Sequence, residues 1–291
     1  MMAMRDLNME TSLKTFCGPY ITDEAAAEIS EKYWLITVAL ELVNFPLAVP
    51  GTKVYNAIQA RKIAMKHLMA ASAASKERMA QPGAEAKCLL DEWVQAMLEA
   101  RQGAGEDGEQ RRVLSREYSD HEIGMVILSF LFASQDAMTS AVVYAFQLTA
   151  DHPEILAKIR EEQYEVRGND VDAPLTLELV DDMVYTRAVI KEVLRLMPPV
   201  IMVSCIFIVK LTPQVPYMTL KPFPITPEYT VPTGSMVIPS FWNSLHYPEV
   251  YPEPDRFIPE RWMPKPDGTQ PVAESKPQNY MVWGSGPHKV C

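Results

Sequence analysis

Cysteine is scarce in this chain. There are 4 in 291 residues, Cys17, Cys88, Cys205 and Cys291, too far apart for a structural zinc site or a disulfide framework. Such isolation suits a reducing compartment. Positive charge is also short, 27 Lys and Arg against 37 Asp and Glu, and the net charge of −10 argues against a nucleic-acid partner. The opening residues, Met1 to Glu10, mix Met with Arg5, Asp6 and Glu10 and hold no apolar run of the length that a signal peptide or membrane anchor needs. Any anchor is therefore expected upstream of this sequence. No internal repeat is visible.

With 48% hydrophobic and 22% charged residues, the chain can bury a large core, as one big domain or two. Apolar residues at three-to-four spacing predict helices over Thr22 to Leu42, capped by Thr22 or Asp23, over Lys53 to Met79 and over Lys87 to Arg101. Gly103 to Gln110 is a polar loop. Ser119 and Glu122 then form a capping box that opens one long helix, Ile123 to Leu148, apolar nearly all round. Its length would suit a membrane span, but Asp136 near its centre, beside Ser134 and Gln135, would cost about 2.5–3.5 kcal/mol there. A core helix is the expectation. Asp151 to Gly168 reads as a separate helix with the cap pair Asp151 and Glu154, and Leu177 to Leu196 as another, halted by Pro198 and Pro199. Tyr229 to Ile238 reads as a hairpin, and Tyr247 to Gln278 as a Pro-rich irregular stretch. The predicted fold class is mainly α with a small β part.

The last ten residues, Val282 to Cys291, are the stretch that the rest serves. Gly284 and Gly286 allow a backbone to approach a flat ligand closely, and Pro287 stiffens the bend. A cysteine thiolate presented by such a loop is a good soft ligand for iron, and haem is the natural cofactor.

This segment resembles the haem-binding loop of the cytochromes P-450, in which an aromatic residue, a glycine, a basic residue and the ligating cysteine follow at fixed intervals. Trp283 takes the aromatic place, Gly286 the glycine and His288 the basic residue that faces a haem propionate. By that count the ligand position is 290, which is Val290, and Cys291 stands one place later. Three further motifs follow the family's order. Glu192 and Arg195, three apart on one helix face, resemble its ExxR helix. The run Phe257 to Trp262 resembles the meander motif whose arginine, here Arg261, joins that pair. A buried Glu192–Arg195–Arg261 triad is the implied scaffold. In the long helix, Ala133-Ser134-Gln135-Asp136-Ala137 takes the place of the family's oxygen-handling turn, keeping the acid at Asp136 and replacing the usual threonine with Ala137.

The run Phe130 to Ala137 is similar to that of the fungal sterol C-22 desaturases, and so are Arg5 to Asn8, Thr15 to Gly18, Ala39 to Pro46 and Leu156 to Gln163. The resemblance implies an incomplete cytochrome P-450 domain over 1–291, divided into a helical body (1–196), a small β region (197–246), a meander (247–281) and the haem-binding loop (282–291). It implies a haem-thiolate oxidoreductase that introduces the C-22 side-chain double bond of a sterol in ergosterol synthesis, by two successive hydrogen abstractions. Electrons would come from NADPH through a cytochrome P-450 reductase, at the cytosolic face of the endoplasmic reticulum, with membrane attachment through an anchor absent from this chain. Asp136 and Gln135 are the implied catalytic residues, and Cys291, His288, Gly286 and Trp283 those at the haem. Phe130, Ala133, Ala137, Val200, Ile201 and Met202 are the implied substrate wall. The alternatives are a non-catalytic fragment of such an enzyme without a competent haem pocket and a membrane-spanning interaction protein. Ser204 to Gln214 reads as an extra stretch, and with Val290 it is expected to be intron sequence carried into the chain.

Overall fold

The computed structural model describes residues 2–40, 48–101, 116–170, 172–198, 217–237, 241–265, 268–276 and 278–283. They fall into two compact units, 1–139 and 140–291.

The first unit is helical: α1 (Met2–Cys17), a 3-10 turn at Gly18–Tyr20, α2 (Asp23–Leu40), α3 (Lys53–Met79), α4 (Leu89–Arg101) and most of α5 (Asp120–Asp151). Each helix buries one stripe. Met9, Leu13 and Cys17 from α1, Leu90, Val94 and Met97 from α4, and Ile123, Ile127 and Leu131 from α5 meet in a single core, as residues three or four apart on a helix must if one face is to leave water. The buried stripe of α3 is mostly small, Ala57, Ala60, Ala64, Ala71, Ser72 and Ser75. There Gly124 of α5 comes so close that an added Cβ would lie 3.1 Å from Met65 Cε and 3.5 Å from Leu68 Cβ. Two of the predicted caps form: Ala25 N–H donates to Thr22 Oγ1 (3.2 Å), and Ser119 and Glu122 exchange bonds, Ser119 N–H to Glu122 Oε2 at 2.9 Å and Glu122 N–H to Ser119 Oγ at 3.2 Å. α5 has the length and hydropathy of a membrane span, yet its Ile123, Ile127, Leu128 and Leu131 lie in the core. Helix α1 had no distinct signal in the sequence.

A buried polar group pins three of these elements. Asp91, the third residue of α4, accepts hydrogen bonds from Ser75 Oγ (2.7 Å), Tyr20 Oη (2.7 Å), Lys87 N–H (2.9 Å) and Arg78 Nη2 (2.5 Å). Burial alone would raise its pKa, but these donors outweigh it and hold the carboxyl below its ordinary value.

The second unit begins within α5 and continues with α6 (Pro153–Val166), α7 (Leu177–Asp182), α8 (Val184–Leu196), four short strands, α9 (Phe241–Leu245) and 3-10 turns at Pro259–Trp262 and Val272–Glu274. Three expectations need correction. Asp151 ends α5 and caps nothing: His152 (φ −128°) breaks the helix and Pro153 takes the first turn of α6, because proline excludes the helical conformation from the residue before it. The single helix over 177–196 is two, broken at Met183 (ψ 72°). There the Glu162 carboxylate of α6 accepts the Tyr185 and Thr186 N–H groups at 2.5 and 2.7 Å, donors that an unbroken helix would spend on its own carbonyls. The predicted hairpin over 229–238 does not pair with itself. Instead β3 (Tyr229–Val231) pairs with β2 (Phe223–Thr226), and β4 (Met236–Val237) pairs with β1 (Tyr217–Met218). Pro232 cannot donate to a ladder, and a turn with Gly234 at φ 80° separates the two pairs.

Candidate functional site

The described residues singled out from the sequence fall in both units.

In the second unit the structure brings Glu192, Arg195 and Arg261 together. Glu192 and Arg195 are 0% exposed, on the inner face of α8. Arg195 Nε donates to Glu192 Oε2 (2.8 Å) and its Nη2 to Oε1 (2.9 Å), the bidentate fork that a guanidinium makes with a carboxylate. Arg261 Nε donates to Oε1 (2.9 Å) from the 3-10 turn. Two donors were not foreseen: Ile258 N–H reaches Oε1 (3.1 Å) and Trp262 Nε1–H reaches Oε2 (2.9 Å). One carboxylate thus takes five hydrogen bonds. The arginines spend their remaining donors on carbonyls: Arg195 Nη1 on Leu245 (2.9 Å), its Nη2 also on Arg256 (3.2 Å), and Arg261 Nη1 on Pro252 (3.0 Å). The cluster therefore ties α8 to α9 and to the irregular chain over 252–262. The sequence signal for Trp262 was available, because an indole beside a motif arginine needs an acceptor once it is buried.

In the first unit the long helix α5 carries two faces. Ile123, Ile127, Leu131, Gln135 and Thr139, at steps of four, are buried. Phe130 (43% exposed) and Ala133 are uncovered and Ala137 is half-buried. Gln135, 3% exposed, packs toward α1, where its Nε2 lies 3.5 Å from Ser12 Oγ and its carbonyl accepts from Asn8 Nδ2 (3.2 Å). Asp136 Oδ1 accepts from Arg5 Nη2 (3.1 Å), the pair being half exposed. Beside it a cleft is lined by Arg5, Asp6, Ser30, Tyr33 and Asp136. Burial first, and the Asp136 charge second, push the Tyr33 phenol above its ordinary pKa. Arg5 as the partner of Asp136 had no signal in the sequence, since 131 residues separate them.

Trp283 is described and 46% exposed. Gly286, His288 and Cys291, with Val200, Ile201 and Met202 of the predicted wall, lie outside the described residues, as do Val290 and the stretch 204–214. Among the described residues no cluster of three metal-ligating side chains occurs. Haem nevertheless fits what is present. On α5 the exposed Ala133 and the half-buried Ala137 present small apolar side chains against which a flat apolar ring system can lie.

The cytochrome P450 family model matches residues 35–291, and the chain belongs to that family. Haem is the family's cofactor. The chain is similar to the C-22 sterol desaturase of Candida albicans, 44% identical over 287 residues covering 99% of this chain and 52% of that protein. It is similar also to the C-22 sterol desaturase of Saccharomyces cerevisiae, 43% identical over 288 residues covering 99% of this chain and 49% of that protein. The chain thus spans about half the length of the curated relatives it matches. Two solved structures share the fold. A cyanobacterial cytochrome P450 with retinoic acid bound has a TM-score of 0.68 at 22% identity over 98% of this chain and 56% of that chain. A zebrafish cytochrome P450 with progesterone has 0.70 at 17% identity over 100% of this chain and 59% of that one.

Proposed function

We propose that the chain is part of one cytochrome P-450 domain that acts on a sterol and introduces the C-22 side-chain double bond of ergosterol synthesis. The identity to fungal C-22 sterol desaturases along nearly the whole chain supports this reading. When bound, haem supplies dioxygen activation, with electrons from NADPH delivered through a flavoprotein reductase. Cys291 would supply the thiolate ligand, and Trp283, Gly286 and His288 are the other residues that would hold the haem. Phe130, Ala133 and Ala137 on α5 are the described residues that would meet an apolar sterol, and Val200, Ile201 and Met202 are assigned the same role by the family resemblance alone. Asp136, reachable by solvent and held by Arg5, carries protons at its carboxylate oxygens, and Gln135 braces that turn of α5 against α1. The Glu192 cluster has no part in the chemistry and holds the scaffold. The protein works at the cytosolic face of the endoplasmic reticulum membrane, where the reductase and the sterol meet.

The test is a reduced carbon-monoxide difference spectrum of the chain expressed with haem supplied, followed by sterol turnover with a cytochrome P-450 reductase and NADPH. A red-shifted Soret band typical of thiolate ligation, with a new side-chain double bond detected by mass spectrometry, is expected. Haem bound without that band would overturn the reading of Cys291, and a hydroxylated sterol as the sole product would overturn the desaturase assignment.

A further inference from the structure

Tyr280 closes a short line of contacts that begins at Glu192. The Trp262 indole, which donates to Glu192 Oε2, is met edge-on by the Tyr280 ring, with centroids 4.7 Å apart at 66°. Tyr280 Oη donates to the carbonyl of Lys191, the residue before Glu192 on α8, at 3.3 Å. The preceding residue is held as well. Tyr251 Oη donates to the Asn279 carbonyl (2.6 Å) and Asn279 Nδ2 to the Val272 carbonyl (2.8 Å). Tyr251 in turn lies under the guanidinium carbons of Arg195 and Arg261, 5.1 and 6.0 Å from its ring centroid.

We propose that Tyr280 is a positioning residue that hands the geometry of the Glu192–Arg195–Arg261 cluster on to the chain entering the cysteine loop. This rests on the reading of Cys291 as the iron ligand. A donor atom for a metal must be held to within about 0.5 Å, and the support comes from packed neighbours of the ligand. Gly284 and Gly286 carry no side chain that could give such support. Tyr280, shortly before them, makes two packed contacts. Tyr280 is held at two separate points, ring on Trp262 and hydroxyl on Lys191, so the backbone at 280 turns only if both contacts break. The Lys191–Glu274 ion pair nearby is partly exposed and contributes little.

Tyr280→Phe keeps the ring contact and loses the hydroxyl bond, whereas Tyr280→Leu loses both. In the full chain loaded with haem, Tyr280→Leu is expected to cut the fraction of haem showing the thiolate band by about tenfold, the lower end of what supporting residues of metal sites contribute, and Tyr280→Phe by less. In the same chains without haem, Tyr280→Leu should speed amide hydrogen exchange over 278–283 while leaving α8 protected as in the wild type. Unchanged exchange over 278–283 overturns the proposal, and so does loss of protection in both segments, which would make Tyr280 a general packing residue. A wild-type chain that never shows the thiolate band defeats the haem reading, while the exchange measurement still decides what Tyr280 holds in place.

Discussion

Replacing Glu192 with Gln leaves Arg195 and Arg261 charged in a dry interior, with their carbonyl partners but without their counter-charge. Breaking a buried pair from one side costs about 3–5 kcal/mol, and urea unfolding of Glu192→Gln should show a loss of that size. Trp262→Phe removes one bond to a charged acceptor and is expected to cost about 1–3 kcal/mol in the same assay. A result near zero would mean that the Trp262 indole is satisfied elsewhere. Asp136 stands differently, half exposed and paired with Arg5. Asp136→Asn should leave stability within about 1 kcal/mol, the range of an exposed ion pair. If Asp136 moves protons, the same variant should slow sterol turnover by about a hundredfold. The i, i+3 spacing of Glu192 and Arg195 was legible because a helix face is a local property. The partners Leu245, Arg256, Ile258 and Arg5 were not, since only packing brings backbone and side chains from distant segments to one point.

Helix α5 is set by its first turn. Ser119 donates through backbone and side chain to Glu122, and Arg116 pairs with it, which lowers the Glu122 pKa from 4.5 to about 2. A depressed carboxyl contributes stability that is present above its unfolded pKa and lost as pH falls through the folded one. The stability difference between the wild type and Glu122→Gln should therefore be full above pH 4.5 and vanish towards pH 2, the window set by those two values. Chemical denaturation at several pH values checks this, and a difference independent of pH would show that the cap is not used. Gly18, at the junction of α1 and the 3-10 turn, has φ +53°, and an added Cβ would lie 2.8 Å from Cys88 Cβ. Gly18→Ala combines a left-handed backbone, costing about 1–2 kcal/mol, with a steric overlap. A destabilisation of at least about 2 kcal/mol is expected in urea. Elements were legible where one signal governed them: Lys53 to Met79 was read residue for residue. They were misread where a distant group intervened, as at Met183, where Glu162 captures two N–H donors.

For the whole chain, the decisive variant is Cys291→Ala. It should abolish the thiolate band of the haem-loaded protein, read in the reduced carbon-monoxide difference spectrum. A band that persists would place the ligand elsewhere. The sequence by itself determined the helical class, the long apolar helix with its capping box, the order of the motifs and the membership of the cytochrome P450 family. Each of these follows from local periodicity, cap chemistry or motif spacing. Only the tertiary structure decided that Asp136 pairs with Arg5, that Trp262 and a backbone amide complete the Glu192 cluster, that the strands nest rather than pair as one hairpin, and that Tyr280 is fixed between Trp262 and Lys191. The physical reason is common to all four. Hydrogen-bond donors, ring edges and strand edges are satisfied by whatever packing brings within reach, and those partners lie outside the few residues over which a sequence pattern carries information.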